Sequence, residues 1–282
     1  MTLTTVLHPT DFSASAGQAL RLAVDLAVRF DAKLCIFHAE TLHGGDPSQE
    51  ADALERYVET AHSLLDGRGT GHRSRVSVTQ ERSMSAFDGI MRAAVARHTD
   101  LIAMGTHGRT GLGKLLMGST AEKVLRHAAC SVLTVKADAR LPKDGGFHKL
   151  LVPVDFSDGA GRALSMAREL RAEDAAIYLL HVVEPVPPMY YAGNLTSRFD
   201  LDAELRDRLE STLQDWSGDL PAARRLIAEG NPAVETTRVA EDIGADLLVI
   251  STRGLTGLEH LLVGSVTERV CRMATVPVLA VR

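Results

Sequence analysis

The chain repeats itself, and that repeat limits what it can fold into more than any other feature. Val6-Leu7-His8-Pro9-Thr10-Asp11-Phe12-Ser13 returns 144 positions later as Leu150-Leu151-Val152-Pro153-Val154-Asp155-Phe156-Ser157. Phe37-His38-Ala39-Glu40 is matched by Leu180-His181-Val182-Val183-Glu184 with one residue of slippage. Asp100-Leu101-Ile102-Ala103-Met104 is matched by Asp246-Leu247-Leu248-Val249-Ile250 at an offset of 146, as are two glycine-bearing stretches further on. Landmarks in the same order and at the same spacing mean that each half builds the same unit. A chain of 282 residues then divides into two domains, 1–137 and 148–282, each near the commonest domain size. The polar segment 138–147, with Pro142, Gly145 and Gly146, reads as the linker between them.

Within each unit, short apolar runs alternate with longer helical patterns. In the second half, 149–154, 176–181, 224–228, 246–250 and 277–281 read as strands, and 161–171, 200–216, 233–243 and 265–273 as helices. Ser157 and Asp158 are the caps available to the first of these helices. Such alternation, with strands apolar on both sides, calls for a parallel sheet covered by helices on both faces. Right-handed crossovers leave few topologies. The expected fold is α/β: two tandem doubly wound five-stranded parallel sheets, Rossmann-like, in the order 3-2-1-4-5. The fifth strands, 132–135 and 278–281, are apolar edges that would aggregate if bare.

This order places strands 1 and 4 side by side, where the winding reverses and where open α/β sheets bind their ligands. Asp11 and Asp155 stand just past strand 1, and Gly105 and Ser251 just past strand 4. Gly105-Thr106-His107-Gly108 is followed after nine residues by Gly118-Ser119-Thr120, and Ser251-Thr252-Arg253-Gly254 after nine by Gly264-Ser265-Val266-Thr267. Glycines allow close backbone approach to a phosphate, and Gly118 and Gly264 open helices whose N-terminal ends suit an anion. Hydroxyls of Ser119, Thr120, Ser265 and Thr267 offer further donors, or a ligand for a phosphate-bound Mg²⁺. The spacing is that of neither a Walker loop nor a dinucleotide GxGxxG. A single loop of this kind is equally well explained as a tight turn. Two copies, each opposite a strand-1 aspartate, favour a nucleotide.

The pattern G-x2-G-x9-G-[S/T] after a strand, paired with that aspartate, resembles the ATP-binding signature of universal stress proteins, and the resemblance runs through both halves. It implies an adenine nucleotide alpha hydrolase-like version of the fold and ATP or AMP as ligand. Because family members pair their fifth strands between subunits, it also implies that 132–135 and 278–281 pair with each other here, making an internal pseudo-twofold dimer. Carried over, Pro9, Thr10, Asp11 and Ala39 would line the adenosine part of the first site. Gly105, His107, Gly108, Gly118, Ser119 and Thr120 would hold its phosphates. In the second, Pro153, Val154, Asp155 and Val182 would take the first role, and Arg253, Gly254, Gly264, Ser265, Val266 and Thr267 the second. Two departures stand out. Ser251 replaces the first glycine of the second loop, while the first half has Met84-Ser85-Ala86 where the second keeps the family turn as Gly230-Asn231-Pro232. The first site, with all its loop glycines, is the better candidate if only one is competent.

Other features narrow the function. A net charge of −5 and 4 % aromatic residues argue against nucleic acid as a partner. Met1 to His8 has no basic region and reads as a first strand, and no apolar run reaches membrane-spanning length, so a cytoplasmic protein with no membrane partner is expected. Cys35, Cys130 and Cys271 form no CxxC pair and read as small buried residues. The histidines show no metal-binding spacing, and His38 and His181, at matching strand-2 ends, read as structural. Residues 184–193 follow the second half's strand 2 and are expected to cap its crevice. The leading expectation is a stress-response regulator that binds ATP or AMP and works through a protein partner, with a homodimer beyond the internal pair as a further option. The alternatives are a slow ATP-hydrolysing or phosphotransfer enzyme, for which Glu122 and Glu268 are the available carboxylates, or a scaffold with one degenerate site. No catalytic residue is assigned.

Overall fold

The computed structural model describes residues 3–41, 47–69, 72–108, 117–142, 145–184, 203–218, 220, 223–253 and 263–282. The first half runs β1 (Thr5–Pro9), α1 (Ala14–Arg29), β2 (Lys33–Thr41), α2 (Pro47–Asp66), β3 (Val76–Ser83), α3 (Ala86–Ala96), β4 (Leu101–Gly105), α4 (Ser119–His127) and β5 (Ser131–Val135). The second repeats this as β6 (Phe147–Pro153), α5 (Asp158–Leu170), β7 (Arg171–Val183), α6 (Ala203–Ser217), β8 (Ala223–Glu229), α7 (Pro232–Ile243), β9 (Leu247–Ser251), α8 (Ser265–Met273) and β10 (Val278–Val281).

Each half has the expected strand order, and the two sets of five fuse into one ten-stranded sheet, β3-β2-β1-β4-β5-β10-β9-β6-β7-β8. Neighbours within a half are parallel. At the seam β5 and β10 run antiparallel, with Val132 opposite Ala280, Leu133 opposite Leu279 and Thr134 opposite Val278. A twofold relation between identical units requires that reversal. Side chains alternate across the sheet, so the seam feeds two cores. Leu133 and Leu279 join the one under α1, α2, α5 and α6. Val132, Val278 and Ala280 join the one under α3, α4, α7 and α8. Both cores run unbroken from one half into the other.

Charges at the seam are exchanged reciprocally. Arg126 on α4 reaches Glu268 on α8 at 2.9 Å and Glu122 on its own helix at 3.4 Å, while Arg272 on α8 lies 3.0 Å from Glu268 and 3.7 Å from Glu122. Lys136 donates to the carbonyl of Met273 at the end of α8, at 3.1 Å. Arg282 donates to the carbonyl of Arg126 near the end of α4, at 3.0 Å. Each half therefore supplies a cation to the negative end of the other's last helix, where the helix dipole favours it.

Most sequence-derived elements sit within a few residues of their expected places. Helix α5 starts at Asp158, earlier than the expected 161, because Ser157 accepts from the Ala160 N–H and caps it there. Strand β7 starts at Arg171 rather than 176: the chain passes from helix to strand without a loop, and Arg29 of α1 donates to the carbonyls of Glu169, Leu170 and Arg171 at that junction. Residues 200–202 of the expected sixth helix lie outside the described residues. Cys35 and Cys271 are buried, Cys130 is half-buried, and none is in a disulfide. Among the described residues no helix is long and apolar enough to cross a membrane.

His8 breaks the symmetry, because its counterpart is Val152. Its side chain is wholly buried, with Nδ1 2.8 Å from the Ala103 carbonyl and Nε2 2.9 Å from the Tyr57 hydroxyl. Burial holds its pKa down at about 4, against the smaller opposing effects of the Ala103 carbonyl and the Asp11 charge. The folded chain therefore refuses a proton that the unfolded chain accepts below its ordinary value of 6.5. Stability contributed by neutral His8 is present above that value and lost as pH falls toward 4, by at most about 3 kcal/mol. Urea unfolding at pH 7 and pH 5 is expected to show a larger loss for the natural chain than for His8→Val. Equal losses would remove His8 as the cause.

Candidate functional site

Two clefts open at the carboxyl ends of the strands, one at each switch point. The first has a volume of about 300 Å³ and the second about 290 Å³. In the first, Pro9, Thr10 and Asp11 come from the end of β1, and Ala39 from β2. Gly105, His107 and Gly108 come from the end of β4, and Gly118, Ser119 and Thr120 from the start of α4. All ten residues expected for this site line it. In the second, Pro153, Val154, Asp155, Val182, Arg253, Gly264, Ser265, Val266 and Thr267 line the cleft. Gly254 lies outside the described residues, as do 185–193 of the expected capping segment; Glu184 is at the cleft wall.

The ends of β1 and β2 are pinned together in the same way in both halves. The Thr10 N–H donates to the Phe37 carbonyl at 2.8 Å, and the Val154 N–H to that of Leu180 at 2.8 Å. His38 Nδ1 and His181 Nδ1 lie 2.8 Å from the carbonyls of Thr10 and Val154. A carbonyl can only accept, so each ring carries its proton on Nδ1. Phe12 and Phe156 turn back over these rings with φ of 64° and 62°, at centroid distances of 4.5 and 4.8 Å. Both histidines are the structural pins expected from sequence. His38 also places its Nε2 3.3 Å from buried Glu50 of α2.

The loops after β4 and β9 are held alike. The Thr106 N–H donates to Val135 O at 2.9 Å and the Gly118 N–H returns to Thr106 O at 2.7 Å. In the second half Thr252 donates to Val281 O at 2.9 Å and Gly264 to Thr252 O at 2.8 Å. Asp11 accepts from the Ser13 N–H at 3.0 Å. Its other oxygen lies 3.0 Å from where a Cβ on Gly108 would stand, so a larger residue there would push the carboxylate aside. His107 Nδ1 is 2.8 Å from the Thr106 hydroxyl, and its Nε2 is buried with no hydrogen-bond partner among the described residues.

The helix starts differ in a telling way. Ser13, Ser85, Ser157 and Asn231 cap α1, α3, α5 and α7 with their side chains. The two helices that begin inside the clefts, α4 and α8, have Gly118 and Gly264 at the cap position and no side-chain cap. A helix cannot satisfy its first-turn N–H groups by itself, and among the described residues no side chain caps these two. An anion suits that place by both hydrogen bonding and dipole, so the residues present fit a nucleotide's phosphates.

Several wall residues were missed in the sequence, among them Phe37, Ile90 and Met104 in the first cleft and Leu180, Thr236 and Ile250 in the second. They belong to core strands or to helix faces, and periodicity alone cannot separate a core residue from a cleft wall. The turn before α3 lacks the glycine and proline of its counterpart, yet α3 starts cleanly because Ser85 accepts from the Asp88 N–H. In the second half Gly230 takes φ of 140° and Asn231 accepts from Ala233 and Val234. Glu122 and Glu268 are turned into the arginine network at the seam.

The sequence matches the model of the universal stress protein family twice, over residues 2–136 and 146–282. A universal stress protein of Mycolicibacterium smegmatis is 27 % identical over 301 aligned positions, covering 98 % of this chain and 96 % of that one. One of Methanocaldococcus jannaschii is 34 % identical over 146, covering 48 % of this chain and 82 % of its own. In structure, the universal stress protein from Archaeoglobus fulgidus superposes with a TM-score of 0.68 at 20 % identity, covering 100 % of this chain and 99 % of that one, which establishes likeness of fold. With both halves matched, one relative aligned along nearly the whole length and the duplicated fold in place, the chain belongs to the universal stress protein family.

Proposed function

We propose that each half binds an adenine nucleotide, ATP or AMP, and that the chain is a cytoplasmic stress-response regulator governed by that binding. The observation that carries this is the pair of uncapped helix starts, each facing a cleft at a switch point while the neighbouring helices are capped. Pro9, Thr10, Asp11 and Ala39 take the adenosine, with Pro153, Val154, Asp155 and Val182 as their counterparts. Gly105, His107, Gly108, Gly118, Ser119 and Thr120 take the phosphates of the first nucleotide. Arg253, Gly254, Gly264, Ser265, Val266 and Thr267 take those of the second. Where ATP arrives with Mg²⁺, the Ser119, Thr120 and Ser265 hydroxyls are the available protein ligands. Cleft volumes of about 300 and 290 Å³ are at the small end of the range for small-molecule sites.

Binding is favoured over turnover. Phosphoryl transfer needs a group that orients the attacking water or takes its proton. The carboxylates on the cleft helices, Glu122 and Glu268, are engaged by Arg126 and Arg272 instead. Calorimetry of the intact chain with ATP and Mg²⁺ is expected to show affinity in the micromolar range, on the order of −7 to −8 kcal/mol. An intact, folded chain that takes up no ATP or AMP would refute the reading.

A further inference from the structure

Ser251 stands where the first loop has Gly105, and by sequence alone it looks like a defect in the second site. The structure shows what surrounds it. In the first half, a Cβ on Gly105 would overlap the Ser15 hydroxyl and stand 2.7 Å from the Ala16 nitrogen and 2.8 Å from the Ser15 carbonyl carbon. Gly105 is glycine because the start of α1 occupies its side-chain space. Ser15, which fills that space, donates from Oγ to the carbonyl of His107 at 2.5 Å, and Ser13 Oγ supports the same carbonyl at 3.1 Å. The Ser15 bond ties the loop after β4 to the start of α1.

The position matching Ser15 in the second half is Gly159. A Cβ there would overlap both the Ser251 hydroxyl and the carbonyl oxygen of Arg253, and would stand 3.1 Å from Ser251 Cβ. Ser251 Oγ donates to the Arg253 carbonyl at 2.6 Å, and the Arg253 N–H donates back to Ser251 Oγ at 3.1 Å. Arg253 is the counterpart of His107. The same carbonyl is thus held by a serine hydroxyl in both halves, from α1 in the first and from β9 in the second, and in each a glycine faces the serine. The Thr267 hydroxyl adds a bond to the Ser251 carbonyl at 2.6 Å.

We propose that Ser251 and Gly159 are the Ser15–Gly105 pair with its members exchanged across the contact. Ser15 and Ser251 are positioning residues for the two loops, and both clefts are competent. The chain then carries two nucleotides rather than one beside a degenerate site. This rests on the reading of the clefts as nucleotide sites. It is supported by the near-equal cleft volumes and by the matching loop hydrogen bonds.

The test combines nucleotide stoichiometry with thermal unfolding of the intact chain. The natural protein is expected to bind two equivalents of ATP. Ser251→Ala keeps the space filled and loses only the hydroxyl; it should weaken the second site about tenfold and leave the first unchanged. Ser251→Gly should weaken it at least as much. Gly159→Ser alone should lower the melting temperature by crowding Ser251. Gly159→Ser combined with Ser251→Gly rebuilds the first half's arrangement and should restore both melting temperature and second-site affinity. Either of two binding results would overturn the proposal: one equivalent bound by the natural chain, or Ser251→Ala and Ser251→Gly binding the second equivalent as the natural chain does. Failure of the double exchange to rescue either single change would overturn the exchanged pair itself. Binding of no nucleotide by the natural chain would refute the parent reading as well, while the unfolding data would still judge the pair.

Discussion

Gly118→Glu is expected to lower nucleotide occupancy of the first cleft a hundredfold or more, with the second cleft unaffected. A Cβ at this position would stand 3.2 Å from the Thr106 carbonyl oxygen, so the loop has little room to give. The glutamate also brings a negative charge to an uncapped helix start suited to an anion. At about 4 Å and a near-surface effective dielectric, repulsion between two unit charges is worth about 4 kcal/mol. A hundredfold loss needs only about 2.7 kcal/mol. Gly264→Glu is the matching change in the second cleft, where the corresponding Cβ would lie 3.6 Å from the Thr252 carbonyl oxygen. Equilibrium dialysis of each single variant should find one equivalent of ATP retained, and of the double variant none. A folded Gly118→Glu chain that still binds two equivalents would remove α4 from the site.

The second large effect concerns the seam. Leu133 is 1 % exposed and pairs with Leu279, 3 % exposed, at the centre of the antiparallel junction. Leu133→Asp places an unpaired carboxylate in the core shared by both halves and is expected to destabilise the chain by about 4 kcal/mol or more. Since the core is continuous, both halves should lose stability together. Arg126→Ala touches partly exposed ion pairs at the same seam and should cost under about 1 kcal/mol. Denaturant unfolding followed by circular dichroism compares the two. A Leu133→Asp chain as stable as the natural one would mean that the halves do not depend on this junction.

Much of this was legible in the sequence because duplication printed it twice. Alternation and crossover handedness narrowed the strand order to a few topologies, of which 3-2-1-4-5 sets strands 1 and 4 at the switch point; the pairing of the fifth strands came from the family resemblance. Part of each cleft was legible from topology, since Asp11 and Gly105 end adjacent strands; Pro9, Thr10 and Ala39 came from the family resemblance. Phe37, Ile90 and Met104 were not legible as cleft walls. Their apolar pattern is that of a core residue, and which side of such a residue meets solvent depends on where the neighbouring loop stops.

What the sequence determined by itself is a two-copy α/β chain with a switch point and a glycine loop in each copy, since periodicity and spacing are local properties. What only the tertiary structure decided is the meaning of Ser251. Ser251 is judged against Gly159, 92 positions away in the chain yet touching it where α5 packs on β9. Side-chain volume at a close backbone approach is conserved by the pair and not by either residue, so no reading of one position along the chain could have recovered it.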